Sequence, residues 1–349
     1  MRLRSAIATL SVATLLLPAL APAQNRALLQ PALYRGGWVP WYSLLHGLTA
    51  PMFLIGGGLA YGWVTFGPVP GAHDTGASEA GWPIHRRRLR RAALLIAIGV
   101  GLQLPAAPFE EILARPDMRA NVLRAGALQL VGACLLVCET LWLVTRERRR
   151  FAWTLGLLTL ALALSAPFVW NARLSDRYAL GTWLDGYAGS LFPLVPWCAF
   201  CFFGVLARFA NDAFATRSGR VATDDPASWS QFATWLGLGG FAIATLSYLS
   251  YVNGLQLHAL YGEHNFWHSN PLFVGFRAGL VFAWLGCLAA AENWIARGFR
   301  ALPWLGRAFR LLAQRSLAAY VVHLLLLYGT PFTAGLIKHG AIYDFTETT

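Results

Sequence analysis

Runs of about 20 apolar residues recur along this chain, and no other feature constrains its fold as much. A helix of that length crosses the hydrocarbon core of a bilayer. The runs lie at residues 5–23, 44–66, 92–109, 122–145, 151–170, 187–209, 230–251, 271–294 and 316–336. Of the 349 residues, 56% are hydrophobic and only 13% charged. A soluble domain carries about 25% charged residues, so a water-facing surface here would be badly under-supplied. Lipid accepts apolar side chains and removes that difficulty. The 15 Trp and 18 Pro also suit a membrane bundle, because Trp sits at interfaces and Pro is tolerated in spanning helices. The expected fold is all-α, a polytopic transmembrane bundle of about nine helices whose surroundings are the lipid bilayer.

The net charge of +12 does not point to nucleic acid as a partner. The basic residues fall in short clusters between apolar runs rather than along one face. Placing the N-terminus in the cytoplasm puts Arg2 and Arg4, Arg86 to Arg91, Arg146 to Arg150, Arg208 to Arg220 and Arg297 to Arg315 all on the inner side. That arrangement satisfies the positive-inside tendency and leaves His339 and Asp344 outside. The first run has two readings. Met1-Arg2-Leu3-Arg4, an apolar stretch and Ala21-Pro22-Ala23 resemble a cleavable signal peptide; the alternative is a retained, degenerate first helix. Residues 1–43 then form this segment and an outer loop, and residues 44–349 one helical membrane domain.

All five cysteines lie in apolar runs. Cys198 and Cys201 make a C-x-x-C inside a span, without a second ligand pair, and read as small apolar residues. No metal is expected. The chain carries no G-x-x-x-x-G-K-[ST], H-E-x-x-H or G-x-S-x-G motif. Gly56-Gly57-Gly58 lies in a span and reads as a close-packing site.

Ionisable and polar groups inside spans are the functional candidates. Arg124 stands near the outer start of the fourth run with Gln129 deeper. The alternative for Arg124 is an interfacial Arg reaching for water. Ser316, Tyr320 and His323 recur at helical spacing on one face of the last run. His323 either shuttles a proton or orients a thioester, or ties two helices together. His46 opens the second run as a general base for an incoming hydroxyl or amine, or as a plain interfacial His. Trp267 and His268 lie in an outer loop whose aromatic and polar groups suit sugar stacking. His264 and His268 are four apart, but the following Asn270-Pro271 argues against a helical metal pair. Glu110, Glu111, Asp117 and Asp185 either pair with an Arg such as Arg119 or Arg124 or are solvated. Arg86, Arg87, Arg88 and Arg91, with Arg315, suit phosphate recognition; anchoring against anionic lipid is the competing reading.

Several segments together resemble the heparan-alpha-glucosaminide N-acetyltransferase-like family of membrane acyltransferases. They are Leu48-Thr49-Ala50-Pro51-Met52-Phe53-Leu54-Ile55-Gly56-Gly57-Gly58, the Arg-rich start of the third span, Leu123-Arg124-Ala125-Gly126-Ala127-Leu128-Gln129, Leu191-Phe192-Pro193-Leu194-Val195-Pro196-Trp197 followed by Gly204, and Arg315-Ser316-Leu317-Ala318-Ala319-Tyr320-Val321-Val322-His323. They follow one another in order over roughly residues 44–330. The resemblance implies a cytoplasmic acyl donor, most plausibly acetyl-CoA, a sugar or glycan acceptor, and a central cavity lined by Arg124, Gln129, Trp197, Ser316, Tyr320 and His323. It implies a bacterial inner-membrane location. The chain departs from the family at its start: residues 1–43 contain neither the His nor the Asp of the family's opening motif, which leaves His46 as a substitute. The expected function is acyl transfer. A transporter without acyl chemistry and a degenerate, inactive relative are the alternatives. A homodimer through exposed apolar faces is a further expectation.

Overall fold

The computed structural model describes residues 47–66, 82–104, 108–187, 189–217, 226–255 and 257–315, with scattered positions from 318 to 334. The first expected span, His46, Ser316, Tyr320, His323 and the C-terminal residues lie outside the described residues. The described part is helical. In chain order its helices are α1 (Thr49–Phe66), α2 (Trp82–Leu102), α3 (Phe109–Ala114), α4 (Pro116–Leu123), α5 (Ala127–Thr145), α6 (Arg148–Asn171), α7 (Leu174–Arg177), α8 (Leu194–Arg217), α9 (Pro226–Val252), α10 (His258–Tyr261), α11 (Phe266–Ser269), α12 (Pro271–Ala290), α13 (Glu292–Ala301) and α14 (Pro303–Gln314), with a 3₁₀ turn at Ala179–Trp183.

Among the described residues, five helical stretches are long and apolar enough to cross a membrane: Ala127–Thr145, Arg148–Asn171, Leu194–Arg217, Ser230–Val252 and Pro271–Ala290. Their outward faces are greasy. Along α6, Trp153, Leu157, Leu160, Leu164 and Phe168 recur at helical spacing and are all exposed. Such a stripe suits a surface that faces lipid.

The core runs between α1, α5, α6, α8 and α12. Glycines set how closely the helices approach. In α1 and α8, Gly58 faces the Cys201 carbonyl, Gly204 faces the Ile55 carbonyl, and Gly62 lies against Arg208. In α9 and α12, Gly237 meets Gly286, and Gly240 and Gly279 meet each other's helix backbone. In α2 and α5, Gly132 lies on Ala92 and Ile96. Small residues let helix backbones touch, and dispersion and packing then hold the pairs in lipid.

Four expectations from the sequence are corrected. The third span was expected at 92–109, but its helix begins at Trp82, so the Arg cluster forms helical turns instead of a loop. The run 122–145 is broken: Arg124, Ala125 and Gly126 are non-helical, between α4 and α5. Their backbone finds partners elsewhere. Ala125 N–H donates to Ser190 Oγ at 2.9 Å, and Phe192 N–H donates to the Ala125 carbonyl at 3.2 Å. Irregular backbone at membrane depth is tolerated where protein satisfies it in this way. The Arg-rich connection after α12 is two short helices, α13 and α14, joined by packing of Phe299 on Phe309. The last span does not run on to 336. Gly329–Thr330 pairs with Thr333–Ala334 as a two-residue antiparallel ladder, on either side of a Pro that has no N–H to continue a helix.

Candidate functional site

The arginine-rich end of the bundle holds a buried carboxylate. Glu139, in α5, is 1% exposed. Three groups converge on it. The Tyr61 hydroxyl donates to Oε2 at 2.8 Å. His85 Nδ1 lies 2.5 Å from Oε1. The Arg88 guanidinium stands 3.7 Å from Oε2 and also reaches the Val64 carbonyl. Tyr61 comes from α1, and His85 and Arg88 come from successive positions on one face of α2. A buried carboxylate is tolerated when it is hydrogen-bonded and paired in this way. With Nδ1 donating to the carboxylate, Nε2 is the basic nitrogen of His85.

Beside this cluster lies another. Arg208, on α8, is fully buried. It donates through Nη1 to Asp212 Oδ1 and lies 4.0 Å over the Trp63 ring. Arg148, at the start of α6, reaches the other Asp212 oxygen at 2.7 Å. Arg148 also lies over the Phe66 and Phe209 rings, which pack with Trp142 and Phe151.

The opposite end of the bundle is aromatic. Arg277, on α12, lies within 6 Å of the Trp267, Phe273 and Phe276 rings. Its guanidinium sits against Gly47, leaving no room for a side chain there. Gly47 directly follows His46 in the chain. Trp197 links Phe273 (6.4 Å) to Phe192 (5.0 Å), and Phe192 is hydrogen-bonded to the segment that carries Arg124.

The expected site residues divide between these ends. Arg124 leaves its helix and lies on Gly189, whose φ of +82° suits a residue with no side chain. Gln129 is buried; its Nε2 donates to Gln103 Oε1 at 2.9 Å, and it packs on Gly99 and Gly126. Trp197 and Trp267 both contact Phe273. His268 faces elsewhere: it stacks on Trp170 at 5.4 Å, so the two proposed acceptor-binding residues have different neighbours. Arg86, Arg87 and Arg91 are exposed. Arg88 is the inward-turning member, committed to Glu139. Arg315 is exposed at the end of α14.

Among the described residues Asp185 pairs with no Arg, and it does not face solvent. It is buried and accepts from the Ser175 and Tyr187 N–H groups at 3.0 and 3.1 Å. Glu111 pairs with Arg115 at 3.6 Å in an exposed i,i+4 contact, which adds little stability. His264 is held within its loop by the Gly262 carbonyl and by Asn270. Among the described residues no group of three or more His, Cys, Asp or Glu has metal-binding geometry. Cys198 and Cys201 are buried free thiols in the core, and Cys198 Sγ lies 3.2 Å from Cys134 Sγ.

Burial pushes the His268 pKa below its ordinary value of 6.5. A depressed pKa means that folding favours the neutral ring. Its contribution is present above about pH 6.5 and falls away as the pH drops through the lower folded-state value. Thermal melts of the solubilised protein are expected to lose stability on acidification across this range. His268→Phe is expected to shrink that loss; an unchanged acid slope would refute the assignment to His268.

The sequence candidates left out His85, Glu139 and Arg277, and Arg208 figured only among the inner-side charges. Glu139 and Arg277 are single charges within apolar runs, which is the ordinary mark of function in a span. His85 was hidden by the Arg run that follows it. The fold and these buried ionisable groups define an all-helical integral membrane protein. No protein-family model, curated protein or solved structure matches the chain, and the acyltransferase resemblance rests on its motif residues.

Proposed function

We propose that the protein is a membrane acyltransferase. It moves an acyl group, acetyl in the first instance, from acyl-CoA on the cytoplasmic side to a sugar or glycan. One observation carries this reading: a carboxylate-held histidine, His85, immediately precedes a helical run of exposed arginines. Arg86, Arg87 and Arg91 offer planar donors to the phosphates of CoA. His85 Nε2 takes the proton of the acceptor hydroxyl or amine as that group attacks the thioester carbonyl, and the CoA thiolate leaves. Glu139 is the positioning residue that keeps Nδ1 protonated. This revises the expected catalytic pair of His46 and His323 by adding a third histidine; His323 is implied by the family resemblance, and His46 stands in for the opening His that the chain lacks. Arg124, Gln129 and Trp197, with Ser316 and Tyr320 as the resemblance implies, line the path along which the acceptor reaches His85, and Trp267 stacks on the acceptor where it enters at the aromatic end. The chain has about nine spans, its N-terminus is cytoplasmic, and it resides in a bacterial inner membrane, a topology supported by the distribution of its arginines.

Inside-out vesicles given acetyl-CoA labelled in the acetyl group test the reading, with label followed into glycan and released acetate. Transfer is expected, and His85→Ala is expected to lower kcat by about 10²–10⁴-fold. His323→Ala measures the residue that the resemblance implies, and His46→Ala its substitute for the missing opening His. A correctly oriented, folded protein that never consumes acetyl-CoA would overturn the proposal. The buried Glu139–His85–Arg88 network also favours a second reading, a proton-coupled transporter. Solute uptake that follows a proton gradient, without acyl-CoA consumption, would select it.

A further inference from the structure

We propose that the arginine-rich end of the bundle contains a buried binding site for a phosphate ester, centred on Arg208 between α1 and α8. The observation is a charge without enough partners. Arg208 is 0% exposed, and only its Nη1 is committed, to Asp212. Its Nε and Nη2 are buried without a hydrogen-bond partner. Two neutral polar atoms on the same two helices share that condition. Asn211 Oδ1 stands one helical turn along α8, and Thr65 Oγ1 one turn beyond Gly62, the α1 residue that touches Arg208.

A buried polar atom without a partner costs free energy, and each such atom in a folded protein calls for an occupant. Four on two facing helices call for one occupant with several polar atoms. The local charge sets its sign. Arg148 and Arg208 share a single carboxylate, Asp212, so the cluster carries one net positive charge. The Trp63 face beneath the guanidinium holds its plane fixed, leaving the Nε–Nη2 edge as a two-pronged donor. That edge matches two oxygens of a phosphate. Asn211 Oδ1 accepts from a hydroxyl, so the ligand class is a phosphate ester that also carries a hydroxyl group. Two sources have that chemistry: a glycerol-bearing lipid headgroup, and a soluble nucleotide such as CoA. The site does not depend on acyl transfer, since a lipid would fill it in a transporter as well.

The test uses the full-length protein, delipidated in detergent, with native mass spectrometry as the readout. One arm adds phosphatidylglycerol and the other desulfo-CoA, a CoA lacking its thiol. Retention of either probe is expected, and the arm that retains names the source. Arg208→Gln is expected to weaken that retention by at least about tenfold. Should Arg208→Gln fail to fold, Arg208→Lys, which keeps the charge but not the two-pronged geometry, is expected to weaken it as well. Asn211→Leu is expected to weaken it without touching the charge. Wild-type protein that holds neither probe, or holds both as tightly as Arg208→Lys and Asn211→Leu do, would show that the site contains only water and overturn the proposal.

Discussion

Glu139→Ala is expected to be the most damaging single substitution at the arginine-rich end. It leaves His85 and Arg88, and the Tyr61 hydroxyl, facing a hole in a site where Glu139 itself is 1% exposed. Removing one member of a buried ionic network costs about 3–5 kcal/mol, because the partners stay buried and uncompensated. That is a large fraction of the about 5–15 kcal/mol by which an ordinary domain is stable. The drop is to be read from denaturation of the solubilised protein. Glu139→Gln separates stability from chemistry. It keeps the shape and one acceptor, so it is expected to fold. It cannot neutralise an imidazolium at His85, so it is expected to lower acyl transfer nearly as far as His85→Ala does. The double substitution His85→Ala, Glu139→Ala is expected to cost less than the sum of the two single ones, because neighbours in one network are not additive. Strict additivity would show that the 2.5 Å contact carries no coupling.

Gly204→Leu is expected to separate α1 from α8 and to abolish folding or nearly so. A Cβ at this position would overlap the Ile55 carbonyl oxygen and crowd the Leu59 nitrogen. Backbone does not move aside as a side chain does, so the cost lies at or above the upper end of the about 1–3 kcal/mol typical of overpacking. Gly286→Leu is expected to behave likewise against Gly237. Gly156→Leu and Gly239→Leu are the controls. Nothing lies within 4 Å of a Cβ at either position, and both are expected to be tolerated. Equal yields of folded protein from all four variants would refute glycine-mediated packing as the basis of the helix pairs.

The membrane setting, the helical class and the places of most helices were legible in the chain itself. Apolar run length is a local property, and lipid imposes it directly on the residues that face it. The runs at 151–170 and 230–251 correspond to α6 and the apolar part of α9 for that reason. The break at Arg124 to Gly126 was not legible. It depends on Ser190 and Phe192 arriving from more than 60 residues away to satisfy the exposed backbone. Composition marks Arg86 to Arg91 as one basic cluster, and the contact of α2 with α5 turns Arg88 inward while Arg86, Arg87 and Arg91 face out.

The same division holds for the site. A charge inside an apolar run stands at a costly position wherever it falls, so the sequence carries Glu139 and Arg277 as candidates, although Arg124 and Gln129 are singled out there instead. Trp197 is singled out as well; the structure half-buries it and buries Gln129. The sequence did not determine who meets whom. Glu139 finds His85 across 54 residues and Tyr61 across 78, and Arg208 finds Trp63 on a different helix. Hydrogen bonds and ion pairs act over a few ångströms. Tertiary packing alone decides which distant residues come within that reach, and here close glycine contacts between helices bring them there.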